Sequence, residues 1–370
     1  MATVWRVRIG LNLLYLVPDE VGGTEIYARH LIGALARLRP ADELVVFAGE
    51  EAAPTLRFPP NVEVRRLPVK ARVKPLRIAS ELAQLPGAAA HARVDLLHSV
   101  GTTSPLVTGR PSVVTIHDLI YEHFPNTFPR AARAGLRALV GPGARRATRV
   151  HAISEATKRD VIERLRVPAE RIDVVHNGYG ISAGGGVTSP AALRERFGLG
   201  DGRVVLCVSA ALEHKNLGRL IEAMRGVDAR LVVAGHAGRE RFGDVEGVTF
   251  TGWIDDADLE GLYRLAACAV YPSLFEGFGM PALEAMARDV PLACSNATSL
   301  PEVTGDAAEL FDPRDTRAIA HAVRRVLTDR ERAAELVARG RERVRHFTWE
   351  RCAEGVWAIY EKALRSPASS

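Results

Sequence analysis

Short apolar runs alternate with amphipathic stretches along almost the whole chain. In the first half the runs fall in RVRIGLNLL, ELVVFAG, VEVRRLP, VDLLHSV, PSVVTIHDL, ATRVHAIS and RIDVVHN. Each is bounded by turn-forming residues, which is the mark of a strand. Between them, helical patterns cover Thr24–Arg39, Arg130–Val140 and Glu155–Leu165. Strands that alternate with helices predict parallel sheets with helices on both faces.

The alternation stops at HNGYGISAGGGVTSPAALRERFGLGDG, a stretch rich in Gly, Ser and Pro. It reads as an inter-domain connection, flexible over 178–189. The pattern then restarts with strand RVVLCVSA, helix Leu217–Met224, strands ARLVVAGH and GVTFTGW, and helix Asp256–Ala267. Strand AVYPS, helix Pro281–Ala287 and strands PLACSN and AAELFD follow, and helices over about 316–339 and 349–364 close the chain. Domains usually hold ~100–200 residues, so 370 residues suit two. The expected fold class is α/β, with one doubly wound, Rossmann-like domain over 1–180 and another over 190–350. Such sheets bind ligands at the carboxyl ends of their strands. Two of them facing each other would share a central cleft there.

Composition changes this picture little. Apolar residues at 47% and charged residues at 25% are an ordinary globular balance, enough for two cores. A net charge of +5 is modest and implies no nucleic-acid partner. Its distribution is uneven. Arg65, Arg66, Lys70, Arg72, Lys74 and Arg77 form one basic run, and Arg130, Arg133, Arg137, Arg145, Arg146 and Arg149 form another. These predict a solvated basic surface or a patch for an anionic membrane surface or acceptor. The four cysteines, Cys207, Cys268, Cys294 and Cys352, form no CxxC pair and read as reduced, buried hydrophobes of a cytoplasmic protein. MATVWRVRIGL enters a strand directly, so no leader is expected. No run reaches the ~18–20 apolar residues of a membrane span.

Unusual residues gather in loops that follow strands. In SLFEGFGMPALEAMA, Glu276 and Glu284 flank a glycine-bearing loop. Pro281 suits a helix's first turn, where its missing N–H costs nothing. Glu284 is expected on that first turn. The Gly279 and Met280 amides would point out of the helix N-terminus, a site suited to a diphosphate, while the two carboxylates suit sugar and ribose hydroxyls. In SAALEHKNLGRLIEA, Lys215 stands just before a helix and can meet phosphate oxygens as a point charge. Gly22-Gly23 open the first helix and would let backbone approach a ligand. His117 and Asp118 end the strand of TIHDL, with Asp118 expected to orient the histidine or cap the next turn. Asp255 and Asp256 read as a helix start, not as metal ligands. No metal set is recognised.

At these places the chain resembles retaining glycosyltransferases of the GT-B fold, family 4, over nearly its whole length and most closely over 204–347. EGFGMPALE is the most specific element, supported by VSAALEHKNLGRLIEA, LVVAGHAG and SLPEVTGDAAELFDP. The resemblance implies a metal-independent hexosyl transfer from a nucleotide-diphosphate sugar to a hydroxyl of a glycan, a lipid-linked glycan or a small secondary metabolite. GDP-mannose is the first expectation for the donor, with UDP- and dTDP-linked sugars as alternatives. Glu276 and His117 would face the donor sugar. Lys215 and the Gly279–Met280 amides would hold the diphosphate, with Gly23 beside it. Glu284 would take the ribose hydroxyls, and Ile254 and Asp256 would lie near the base. The first domain would bind the acceptor, and a final helix over about 351–366 would cross back to it. Ala210 departs from the family, which often carries an arginine there, and His214 is a partial substitute. A nucleotide-sugar epimerase of similar architecture and a non-catalytic nucleotide- or glycan-binding module are the rival readings. An NAD-dependent enzyme is disfavoured by the lack of GxGxxG.

Overall fold

The computed structural model describes residues 6–18, 20, 22–180 and 186–366. The part of the expected flexible connection over 181–185 lies outside these residues. The chain divides into two compact units, Met1–Gly178 with Phe347–Ser370, and Tyr179–His346.

The first unit holds a parallel sheet of β1 (Arg8–Leu13), β2 (Glu43–Ala48), β3 (Val62–Arg66), β4 (Leu96–Ser99), β5 (Ser112–Ile116), β6 (Arg149–Ala152) and β7 (Ile172–Val174). Their spatial order is β3-β2-β1-β4-β5-β6-β7. The second unit holds β8 (Val204–Val208), β9 (Arg230–Ala234), β10 (Val248–Gly252), β11 (Ala266–Tyr271), β12 (Leu292–Ser295) and β13 (Glu309–Phe311). Their order is β10-β9-β8-β11-β12-β13. Both sheets wind outward from their first strand in the doubly wound manner. The order reverses between β1 and β4 in one sheet and between β8 and β11 in the other. Such reversals open the crevice where ligands of these sheets bind. The inner strands are buried along nearly their whole length, as parallel strands covered on both faces must be. The edge strands β3 and β10 are only partly buried.

The chain returns to the first unit for its last helix, Trp349–Arg365. Cys352, Val356, Ile359, Tyr360 and Ala363 merge there with Tyr27, Leu31 and Leu35 of helix Gly23–Leu38 in one core. Trp349 stacks on His30 with ring centroids 5.0 Å apart. Gly178 permits the close approach, because a Cβ there would lie 2.5 Å from the Trp349 Cα.

Several elements differ from the sequence expectation. The helix expected to end at Val140 runs over Arg130–Arg146 and carries Pro142 inside it. The flanking Gly143 lies against Ser104, whose Oγ would be 2.6 Å from an added Cβ. The helix expected over 316–339 is two helices, Thr316–Thr328 and Arg330–Val344, because the Asp329 side chain caps the second by accepting from the Arg332 amide. Helix Asp256–Leu265 stops two residues early, since Ala266 already begins β11. The stretch read as connection contains helix Pro190–Phe197, started by the Ser189 hydroxyl and stopped by Gly198 at φ 60°. The segment 74–91, given no element from sequence, is helical and includes a π-turn over Ser80–Gln84.

The two basic runs are partly neutralised by neighbouring acids, some close in sequence and some from elsewhere in the first unit. Arg65 pairs with Glu63 at 2.7 Å, Arg72 with Glu20 at 2.7 Å and Arg149 with Asp173 at 2.6 Å. Arg137 pairs with Glu122. Arg66, Lys70, Lys74, Arg130 and Arg146 lie exposed. Among the described residues, no helix is long and apolar enough to cross a membrane.

Candidate active site

The loops after β8 and β11 meet at the switch point of the second sheet. After β8 the chain makes a short turn over Glu213–Lys215, and Asn216 then takes a left-handed conformation at φ 59°. The Asn216 side chain donates to the Pro272 and Pro313 carbonyls at 3.0 and 2.7 Å. The Leu274 amide donates to the His214 carbonyl at 2.8 Å. These bonds tie the two loops together and bring Lys215 to Glu276, 61 residues further on.

Lys215 Nζ donates to Glu276 Oε1 at 2.7 Å, and the Ser273 hydroxyl donates to the same oxygen at 2.7 Å. The Glu276 amide donates to Thr298 Oγ1 at 3.0 Å, and Ser299 Oγ donates to the Glu276 and Phe278 carbonyls at 3.0 and 2.9 Å. The motif's main chain is thus fixed by residues 298–299 as well as by its own sequence. Burial pushes the Glu276 carboxyl upward, but the ammonium of Lys215 and the hydroxyl of Ser273 outweigh it and hold the group below its usual value. It is an anion beside a cation. His214, next to Lys215, is buried and pulled down to about 4, by burial first and then by the Lys215 charge. It is neutral at pH 7 and adds no positive charge in place of the arginine absent at Ala210. A small cavity opens here, lined by Ser209, Lys215, Ser273, Glu276, Gly279 and Leu300.

Gly279 caps helix Met280–Ala287 at φ 103°, a region open chiefly to glycine. A Cβ there would also lie 2.7 Å from Leu300 Cδ2. Met280 and Pro281 open the first turn; Pro281 carries no N–H, and the Ala282 amide donates to the Gly279 carbonyl at 3.0 Å, so the Gly279 and Met280 amides are the ones this end offers. The helix begins one residue before the expected start, so Glu284 sits just beyond the first turn rather than on it. Gly279→Ala is expected to cost ~1–3 kcal/mol of stability through the strained backbone and to lower turnover by displacing the Met280 amide. Thermal unfolding and kcat/KM check this; a variant matching wild type in both would contradict it.

The Tyr263 hydroxyl donates to Glu284 Oε2 at 3.0 Å. Burial raises the Glu284 carboxyl, with Tyr263 and Arg288 opposing the rise and Asp256 adding to it. Asp256 opens helix Asp256–Leu265 and is exposed, while Asp255 caps it by accepting from the Asp258 amide. Ile254 follows β10 and is partly buried.

In the first unit, Gly22 caps helix Gly23–Leu38 at φ 56°, and Gly23 is its first residue. His117 follows β5 and is 7% exposed. Its Nε2 donates to the Val100 carbonyl at 2.9 Å, and its ring lies edge-on to Tyr27 with centroids 4.8 Å apart. Burial pulls it down to about 4, against the pull of that carbonyl. Asp118 Oδ1 accepts from the Ile120 amide at 3.0 Å and so caps the next turn.

All four cysteines are buried thiols. Among the described residues, no group of three or more His, Cys, Asp or Glu could hold a metal ion. Ser273, Tyr263, Thr298 and Ser299 are not among the residues that the sequence singles out. Ser273 opens the motif and could have been found there, but the others lie too far away along the chain to carry a local signal.

The family model for glycosyl transferases group 1 matches residues 191–343, and that for glycosyltransferase family 4 matches residues 21–182. The O-antigen chain mannosyltransferase B of Escherichia coli is 31% identical over 259 residues, which is 65% of this chain and 68% of that relative. A GDP-mannose-dependent alpha-(1-6)-phosphatidylinositol dimannoside mannosyltransferase of Mycobacterium tuberculosis is 37% identical over 166 residues, 42% of each chain. The crystal structure of Anabaena Alr3699/HepE in complex with UDP and glucose superposes with a TM-score of 0.71 at 21% identity, covering 96% of this chain and 100% of that one. With two doubly wound parallel sheets and both halves matched, the chain belongs to the group 1, family 4 glycosyltransferases of the GT-B fold, and is a hexosyltransferase of that type.

Proposed function

We propose that the protein transfers mannose from GDP-mannose, with retention of configuration and without a metal ion, to a sugar hydroxyl of a lipid-linked glycan. The observation that carries this reading is the Lys215–Glu276 pair, held at 2.7 Å beside the amide-bearing end of helix Met280–Ala287. An ammonium and helix-terminal amides are suited to a diphosphate. A carboxylate kept ionised beside them is suited to sugar hydroxyls. Mannose and GDP draw support from the names of the two mannosyltransferase relatives, and a nucleotide sugar draws support from the UDP in the Anabaena structure. The exposed cations of the basic runs support a lipid-linked acceptor at the inner face of a membrane.

In this reading the bond between the sugar's anomeric carbon and the diphosphate oxygen breaks, and the electron pair leaves with the diphosphate. Lys215 and the Gly279 and Met280 amides stabilise that charge. The acceptor oxygen bonds to the same face of the carbon, and its proton passes to the departing phosphate. Glu276 positions the sugar, Glu284 takes the ribose, and Ile254 and Asp256 flank the base.

A thermal-shift panel of GDP-, UDP- and dTDP-linked sugars identifies the donor, because a binder raises the unfolding midpoint. The largest rise is expected with GDP-mannose. NMR of the product is expected to show an axial anomeric linkage from the axial donor, at an undiminished rate in EDTA. An equatorial product would rule out retention, and loss of activity in EDTA would rule out metal independence.

A further inference from the structure

Arg288 lies outside the motif that resembles the family site, yet four groups converge on its guanidinium. It is the C-cap residue of helix Met280–Ala287. Its Nε donates to Glu260 Oε2 at 2.6 Å. Its Nη1 donates to the Tyr179 hydroxyl at 3.0 Å and to the Glu284 carbonyl at 3.1 Å. Its guanidinium carbon sits 4.7 Å from the centroid of the Tyr263 ring. That ring's hydroxyl is the one that donates to Glu284 Oε2.

Arg288 therefore holds Glu284 twice, directly at its main chain and through Tyr263 at its carboxylate. The planar, delocalised cation suits this task, since it stacks on a ring while its edge donates in several directions, and a lysine offers only a point charge. Tyr179 is the first residue of the second unit, so the same cation also pins the end of the connection. The cluster is costly to leave incomplete. Tyr263 is buried and Glu284 half-buried, and an unpaired polar group there would lose hydration without compensation.

We propose that Arg288 is a positioning residue, which through Tyr263 and the Glu284 main chain holds the Glu284 carboxylate ready to accept the ribose hydroxyls of the donor nucleotide. This rests on the assignment of Glu284 to the ribose made above.

Calorimetric titration with GDP and UDP, and with their 2′,3′-dideoxy counterparts, tests it. The wild type is expected to prefer the ribose form of its nucleotide by about tenfold or more, as a charged hydrogen-bond acceptor implies. Arg288→Met is expected to lose most of that preference while its affinity for the dideoxy form stays within about threefold of wild type. Arg288→Lys restores only part of the preference. Tyr263→Phe removes a single hydroxyl and is expected to show the same loss, which keeps the question answerable should Arg288→Met fail to fold. Folded variants that keep the full ribose preference would overturn the role of Arg288 and leave Glu284 in place. Equal weakening of both forms would mark a merely structural role and also overturn it. A wild type that binds ribose and dideoxy forms alike would remove the Glu284 assignment itself.

Discussion

Lys215→Ala is expected to lower kcat/KM for sugar transfer by ~10²–10³-fold or more, the usual cost of removing one preorganised donor to a developing anion. In the proposed mechanism the ammonium acts on two anions in turn. Without a ligand it neutralises Glu276 at 2.7 Å, and with a donor bound it is the only side-chain cation in the proposed diphosphate site among the described lining residues. His214 cannot replace it, because that imidazole is held neutral at pH 7. The alanine variant also leaves the Glu276 carboxylate with Ser273 as its remaining side-chain partner among the bonds described above. Its carboxyl is then expected to rise, since the largest influence on it is burial and the first to oppose burial is Lys215. The two effects separate in a cycle. Adding Glu276→Ala to Lys215→Ala is expected to recover stability, because the unpaired charge is gone, but not to recover transfer. Steady-state kinetics and thermal unfolding on the three variants check this. Turnover by Lys215→Ala within about threefold of wild type would sink the assignment.

The parts of this site that could be read from the sequence are those whose chemistry is local. Gly279 and Pro281 fix a helix start by backbone geometry alone, so the loop between Glu276 and Glu284 is legible as a turn that presents amides. Lys215 is legible as a lysine between a strand and a helix. That Lys215 and Glu276 touch is not legible, because only the adjacency of β8 and β11 brings them together. The same holds for Tyr263, Arg288 and Thr298, which join the site through sheet order and helix packing. Strands were the easiest elements to find, since burial on both faces leaves an apolar run whatever the loops do. Helix ends were harder. Asp329 looks like an ordinary polar position until its side chain is seen to start a new helix, and Pro142 looks like a stop although the chain continues through it. The charge runs are legible as basic stretches, but their partners are not. A run without acid in sequence is not a surface without acid, as the pairing of Arg72 with Glu20 shows.

Stability is expected to fall as pH drops from about 6.5 towards about 4, and the cause is a group of buried histidines in the first unit. His98 and His151 are fully buried and His117 nearly so. His98 Nδ1 lies 2.7 Å from the Tyr360 hydroxyl and its Nε2 lies 2.7 Å from Thr115 Oγ1. His151 Nε2 donates to the Val175 carbonyl at 2.8 Å, and its Nδ1 lies 3.1 Å from the Tyr27 hydroxyl. Burial pulls His117 and His151 down to about 4 and holds His98 well below its usual value, partly offset at His117 and His151 by the carbonyls they bond. In the unfolded chain each would take up a proton near pH 6.5. Between that pH and the folded value the unfolded state therefore binds more protons, so acidification favours it, by at most about 1.4 kcal/mol per pH unit for each histidine. Above pH 7 the contribution is complete. Glu81 works the other way. It is buried against Asn12 and Thr103, and burial raises its carboxyl despite those bonds and the Arg77 charge, so the folded state takes that proton first and offsets part of the loss. Because Tyr360 lies on the last helix, the transition also reports on the docking of that helix to the sheet. Calorimetric unfolding at pH 5, in buffers of different ionisation enthalpy, counts the protons directly, and a net uptake is expected, from these three histidines and from His214 of the second unit. No uptake at pH 5, or an unfolding midpoint flat between pH 7 and 5, would mean that these histidines are not held neutral by the fold.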